Sequence, residues 1–270
     1  MRILKFENLR ICTAASAIAL LAAGAIARAQ APEQRLMFEV VSIKESKNPN
    51  DGGTAGFRPG GTFFATNIPA SSLVSMGYRT NPPLLSQQVV GMPEWAKLTR
   101  YDVTAKVSAA EAADMNALYA ALPRYVRSLT EDRFHLAAHM EKREIPVYAL
   151  TAPNGLGKLR RSTLDCAKAE DRPKCFMSFD TGIKSAHIQL SNVVGSIATA
   201  AGRPVVDRTG LDGYFDLDLQ YASGPPTPDA TEQRPSIFAA VQEQLGLKLE
   251  STQAPMDVLV IDHLDKPTEN

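Results

Sequence analysis

The sequence lacks the short strings that announce chemistry. In its 270 residues there is no G-x-S-x-G, no S-x-x-K, no H-E-x-x-H, no Walker A loop and no G-x-G-x-x-G. Those absences remove the hydrolase, zinc-peptidase and nucleotide-binding classes that can be read from local sequence. They do not remove a triad assembled from distant residues, because triads are geometric. Charge of one sign is also missing, with 29 basic against 29 acidic side chains, so nothing favours a nucleic acid or an anionic membrane as partner. Cysteine is scarce, three in all, and there is one tryptophan. After residue 29 no apolar run is long enough to cross a bilayer.

What is present begins with an export signal. Arg2, Lys5 and Arg10 precede an uncharged, alanine- and leucine-rich stretch from Ile11 to Ala27, which closes on Ala27-Arg28-Ala29. A basic start, an apolar centre and a small-x-small end predict a signal peptide over residues 1–29, cleaved near Ala29. The apolar stretch is 17 residues long, at the short limit for a membrane anchor. Cys12 follows Leu9-Arg10-Ile11, where a lipoprotein signal wants small residues. The mature chain then starts near Gln30 and works in the periplasm or outside the cell. It loses four basic residues (Arg2, Lys5, Arg10, Arg28) and one acid (Glu7), leaving 25 against 28 and a net charge of −3.

Cys166 and Cys175 are the cysteines that remain. In an oxidising compartment the simplest expectation is a structural disulfide. A redox-active pair would favour a tight C-x-x-C. Closing about ten residues contributes on the order of 2.5–3 kcal/mol in the chain-entropy picture.

Three stretches read as irregular: Glu45–Gly61, the cysteine-bearing Pro153–Lys184, and the Pro-rich Ala222–Pro235. Phe38–Ile43 (FEVVSI) reads as an added strand at the start. Between the irregular stretches the pattern occurs twice. In the first half a strand-like Thr62–Thr66 leads to a helix at Ala70–Tyr78. Tyr101–Val107 then alternates, Glu111–Glu131 is helical, and Phe134–Thr151 is strand-like. Pro123 inside the long helix predicts a break there. In the second half Ala186–Leu190 alternates, Asn192–Ala201 is helical, and Tyr214–Gln220 alternates strictly. Ser236–Leu245 is helical, with Ser236 as N-cap and Gly246 at C′, and Leu247–His263 closes the half. Tyr101/Tyr214 and Leu136/Leu249 lie 113 residues apart, and Pro146/Pro255 lie 109 apart. The expected fold is therefore α+β, with two similar strand–helix–strand–strand–helix–strand units on mostly antiparallel sheets, a reading that includes internal duplication. The units span 30–152 and 186–270, separated by an irregular insert at 153–185, with the Pro-rich linker at 222–235 inside the second.

Candidate chemistry is thin. His135 and His139 share a helical spacing that can hold a metal. Their neighbours Leu136, Ala138 and Met140 instead predict a strand whose solvated face carries His135, His139 and Glu141. Asp207-Arg208-Thr209-Gly210-Leu211-Asp212-Gly213 reads as a tight turn: Arg208 interrupts an Asp-Thr-Gly protease signature, and a calcium loop needs more acids at alternate positions. Asp262, His263 and Asp265 follow the last strand with no marked serine nucleophile. Trp95 reads as a core residue. No catalytic residue, metal site or cofactor is expected.

Several strings together carry a resemblance: FEVVSIK at 38–44, VVGMPEW at 89–95, YDVTAK at 101–106, EDRFHL at 131–136, REIPVYAL at 143–150, RPVVDRTGLDGYFDLDL at 203–219 and EQLGLKLESTQAPMDVLVIDHLDKPTEN at 243–270. In this order they resemble a large family of uncharacterised, exported bacterial proteins labelled soil-associated, built on a domain of unknown function. The resemblance spans the mature chain and implies an extracytoplasmic place and this architecture. It implies no activity and no functional residues. Related domains joined to membrane metallopeptidases of the antibiotic-sensor type point to sensing or protein contact. The expectation is a non-enzymatic module that binds a peptide, protein or envelope ligand, at a cleft between the halves or along a sheet edge. The alternatives are a cryptic hydrolase using His135/His139 or Asp207, and a structural envelope protein.

Overall fold

The computed structural model describes residues 35–47, 52–80, 82–178, 182–222 and 234–268. The expected signal peptide, and residues 223–233 of the Pro-rich linker, lie outside the described residues. The first half runs β1 (Val40–Glu45), β2 (Thr54–Arg58), β3 (Thr62–Pro69), α1 (Ala70–Gly77), β4 (Val89–Val90), α2 (Glu94–Leu98), β5 (Arg100–Lys106), α3 (Met115–Arg133) and β6 (Ala137–Thr151). The second runs β7 (Arg160–Arg161), β8 (Met177–Ser178), β9 (Gly182–Ile188), α4 (Val194–Ala201), β10 (Val205–Asp207), β11 (Phe215–Gln220), α5 (Ile237–Ala240) with a π turn at Val241–Leu245, and β12 (Lys248–His263). The fold is α+β, and most strand pairings are antiparallel.

Alternation decides most strands. Along β11 Phe215, Leu217 and Leu219 are buried while Asp216 and Asp218 are exposed. β5 repeats that pattern, with Tyr101, Val103 and Ala105 buried and Asp102 and Thr104 exposed. The burial register therefore sets Tyr101 against Phe215, one residue beyond the Tyr214 that the sequence alignment pairs with it. The stretch expected to be irregular at 153–185 supplies the two stub strands β7 and β8 and the start of β9.

α3 starts at Asp114, whose carboxylate accepts from the backbone N–H of Asn116 (2.9 Å) and Ala117 (3.0 Å). It runs unbroken through Pro123, contrary to the break expected there. A proline inside a helix costs about 3 kcal/mol. Leu118 on one side of it and Tyr125, Val126 and Leu129 on the other are all buried. At roughly 1.5–3 kcal/mol per buried side chain, their shared face outweighs the lost hydrogen bond.

β6 and β12 form the spine. They pair antiparallel from Thr151 opposite Lys248 to Ala137 opposite His263, with one bulge near Ile261. A short parallel strand flanks each side, giving the order β10-β6-β12-β4. The flanks exchange halves: Val205 of the second half lies opposite Tyr148 of β6, and Val89 of the first lies opposite Leu259 of β12. The outer sheets repeat the same arrangement, β1-β5-β3-β2 and β7-β11-β9-β8. Two cores follow. Phe63, Leu73, Tyr101, Val126 and Phe134 of the first half pack with Leu259 and Ile261 of β12. Ile183, Ile197, Phe215 and Leu219 of the second pack with Leu150 of β6. Each core is thus completed by the long strand of the other half.

The turns into the spine strands match as well. Leu136 N–H reaches back to the Thr130 carbonyl (3.2 Å), and Leu247 N–H to that of Val241 (3.2 Å). Both closures place the preceding residue in the left-handed region, His135 at φ 49° and Gly246 at φ 70°. Leu136 thus corresponds to Leu247 rather than Leu249. A histidine carries strain there that glycine escapes. We expect His135→Gly to raise the thermal midpoint by about 2 °C. Gly246→Ala, whose Cβ would sit 3.0 Å from the Lys158 backbone nitrogen, lowers it by more. Equal midpoints for both variants in scanning calorimetry would refute this account of the turns.

Candidate functional site

The cleft between the halves is walled by the α1–β4 connection on one side and by α4 and β10 on the other. Pro82, Pro83, Leu84 and Leu85 face Val194, Gly195, Ala198, Pro204 and Val205, with Met256 of β12 beneath. Gly195 permits the close approach, since a Cβ there would lie 2.7 Å from the Pro82 Cβ. The connection is pinned by side-chain amides. Buried Gln88 donates to the Asp257 carbonyl (2.9 Å) and accepts from Leu85 N–H (3.2 Å). Gln87 donates to the Gly202 carbonyl (2.6 Å). The enclosed volume is about 110 Å³. Cavities of roughly 150 Å³ hold benzene, so this one suits a single aliphatic side chain. A shallower hollow continues from it over Pro82, Pro83, Met177, Ser191 and Ser196. The Asp257 carboxylate, at the cleft's edge, pairs with Lys142 at 2.8 Å. The arrangement can bury an apolar group, and the one hydroxyl that lines it, that of Thr80, donates to the Pro82 carbonyl at 2.7 Å.

The residues singled out in the sequence fall elsewhere. His139 Nδ1 meets Asp262 Oδ2 at 2.8 Å, and its Nε2 lies 3.6 Å from Glu141, which also pairs with Arg143. His135, standing before β6, pairs with Asp265 at 3.4 Å, and His263 meets Asp265 at 3.0 Å. The strand expectation thus holds for His139 and Glu141, while His135 turns to a different acid because of its left-handed backbone. All of these side chains are at least one-third exposed. Among the described residues no group of three or more His, Cys, Asp or Glu side chains is arranged to hold a metal ion.

Asp207 ends β10 and closes a turn: its carboxylate accepts from Thr209 N–H (2.9 Å) and Thr209 Oγ1 (2.7 Å). It lies opposite Leu150 of β6, and His139 is about eleven residues away on the same strand, roughly 36 Å at ~3.3 Å per residue. The two cannot serve one reacting bond. Trp95 packs, partly buried, against the first core. Cys166 and Cys175 are bonded, with Cα atoms 6.0 Å apart. Neither the Pro-Pro-Leu-Leu wall nor the glutamines that pin it were singled out in the sequence. The one local signal is an apolar pair following two prolines in a connection, where solvated residues are the norm.

The hydrogen bond that the His139 imidazole donates to the Asp262 carboxylate holds its pKa above the ordinary value, and Glu141 adds to it. A raised folded-state value favours the protonated form. The contribution to stability is full below the unfolded pKa near ~6.5 and is lost as pH rises through the folded one. We expect the His139 ring to titrate above that unfolded value by NMR and Asp262→Asn to bring it down. An unchanged midpoint in the variant would refute the pairing.

The family model described as a protein of unknown function (DUF3738) matches residues 71–264, which include every wall of the cleft. No curated protein and no solved structure matches the chain.

Proposed function

The chain belongs to the DUF3738 family of proteins of unknown function, and we propose that it is a non-enzymatic binding or sensing module of the cell envelope, taking an apolar side chain of a peptide or protein ligand into the cleft between its halves. The observation that carries this reading is the cleft itself. It is a mostly apolar hollow of about 110 Å³ held in shape by the two hydrogen bonds of Gln88, and concave, mostly apolar sites are where small groups bind. The disulfide is compatible with an extracytoplasmic location, and the signal peptide expected over residues 1–29 would lead to the same compartment. Among the described residues no helix is long and apolar enough to cross a membrane.

The rival reading, a cryptic hydrolase, needs His135, His139 or Asp207 gathered in one concavity with perturbed titration. The ~36 Å along β6 between Asp207 and His139 weighs against it. A purely structural envelope protein would instead self-associate without a ligand.

The reading is tested by a photo-crosslinking amino acid at Met256, on the floor of the cleft, in living cells that export the protein. A discrete adduct is expected there and none from the exposed position Lys97 on α2. Ala198→Phe, which fills the cleft, should abolish it. Adducts of equal yield at both positions, or one that survives Ala198→Phe, would sink the proposal.

A further inference from the structure

Backbone groups along the outer edge of β11 are satisfied at every second residue but one. In an antiparallel ladder alternate residues turn their N–H and C=O to opposite neighbours. On the side away from β9, the Tyr214 carbonyl accepts from Ser162 N–H (2.9 Å) and Asp216 lies opposite Arg160 of β7. At Gln220 the N–H donates to Gln244 Oε1 (2.9 Å) and the carbonyl accepts from Gln244 Nε2 (2.8 Å). Asp218 stands between them, and its N–H and C=O meet no partner among the described residues.

The first half shows what such an edge is built to hold. There Ser46 N–H bonds the Arg100 carbonyl (2.8 Å), as Ser162 does that of Tyr214. β1 then continues along the whole of β5, with Lys44 opposite Asp102, Ser42 opposite Thr104 and Val40 opposite Lys106. In the second half the matching strand, β7, stops after two residues. The chain turns away at Lys158, whose N–H bonds the Leu245 carbonyl (2.9 Å). A hollow of about 390 Å³ opens in its place, lined by Lys158, Arg160, Phe176, Lys184, Asp218 and Gln244. Gln244 spans one rung of the ladder with a side-chain amide, the group that most closely imitates a peptide unit.

We infer that this edge is a strand slot that takes the C-terminal tail of an extended peptide, added antiparallel to β11 between Arg160 and Gln244. Its direction follows from β7, which is antiparallel to β11 and blocks the far end. A tail entering past Gln220 ends against Arg160 with its terminal carboxylate. Two cations face the tail's end there: Arg160 lies opposite Asp216 of β11 without an ion pair to it among the described residues, and Lys158, whose ammonium donates to the Glu243 carbonyl, stands beside it, while Lys184 is held by Asp218 at 3.2 Å. The tail's residue opposite Asp218 takes up the free N–H and C=O, and the residue two positions before it, opposite Gln220, displaces the Gln244 amide. Main-chain bonding of this kind gives affinity with little demand on sequence. The slot shares no residue with the cleft between the halves, so each can fail without the other.

The test uses the ¹⁵N-labelled protein and the pentapeptide Phe-Glu-Val-Val-Ser, the sequence of residues 38–42, with a free or an amidated C-terminus. The Asp218 amide should exchange freely in the protein alone and become protected with the free acid. The Gln244 side-chain resonances should shift, with the free acid binding about tenfold tighter than the amide. Arg160→Ala should erase that preference. Asp218→Pro, which removes an outward N–H from an edge position that tolerates proline, should abolish binding. Gln244→Ala, which empties the rung, should tighten it. An Asp218 amide that stays exchangeable at millimolar peptide, or a preference for the acid that survives Arg160→Ala, overturns the proposal.

Discussion

Everything in this fold hangs on the ladder between β6 and β12. It joins the last strand of one half to the last strand of the other along nearly their full length, and it carries a short parallel strand from each half across to the opposite flank. A single-residue slip would turn every side chain on a strand to the other face. Here that would move Leu259 out of the first core and Leu150 out of the second. Register is therefore specified at both ends at once, and the cleft owes its shape to it. Met256 and Asp257 form its floor because β12 runs beneath both walls.

The two halves solve equal geometric problems with unequal residues. Where the second half uses Gly246 to enter its long strand, the first uses His135, and an exposed ion-paired histidine results. Where the first half closes the edge of β5 with six residues of β1, the second leaves β11 with two of β7 and one glutamine side chain. The opposite edge of the first sheet is also managed by a side chain. The Tyr119 hydroxyl bonds both the N–H and the C=O of Phe57 on β2 (3.3 Å each), which blocks strand addition there.

Local pattern exposed the elements and little of their assembly. Strict alternation located β11, the Ser236 cap and Gly246 bounded the last helix, and α1 began and ended within a residue of its expected limits. Each of these is decided within one turn of helix or a few residues of strand. The pairing of β6 with β12 is decided by residues about a hundred positions apart, and no short window contains it. Pro123 misled because a propensity of about 3 kcal/mol was weighed without the buried face that opposes it. His135 misled because its spacing to His139 is informative only if both lie on one regular element, and the left-handed turn between α3 and β6 separates them. The cleft was anticipated as a place, between the halves, but its walls were not. Pro82 to Leu85 acquire meaning only when α4 is packed against them.

The shared strands also set an order of events. The first core contains Leu259 and Ile261, which follow the last helix of the first half, ending at Arg133, by more than a hundred residues. An N-terminal half leaving the ribosome has its helices and outer sheet but not the strand that seals its core. That core must await β12, and contacts of such long sequence separation form slowly. A core that waits for a strand so far downstream leaves the first half open to unfolding until that strand arrives.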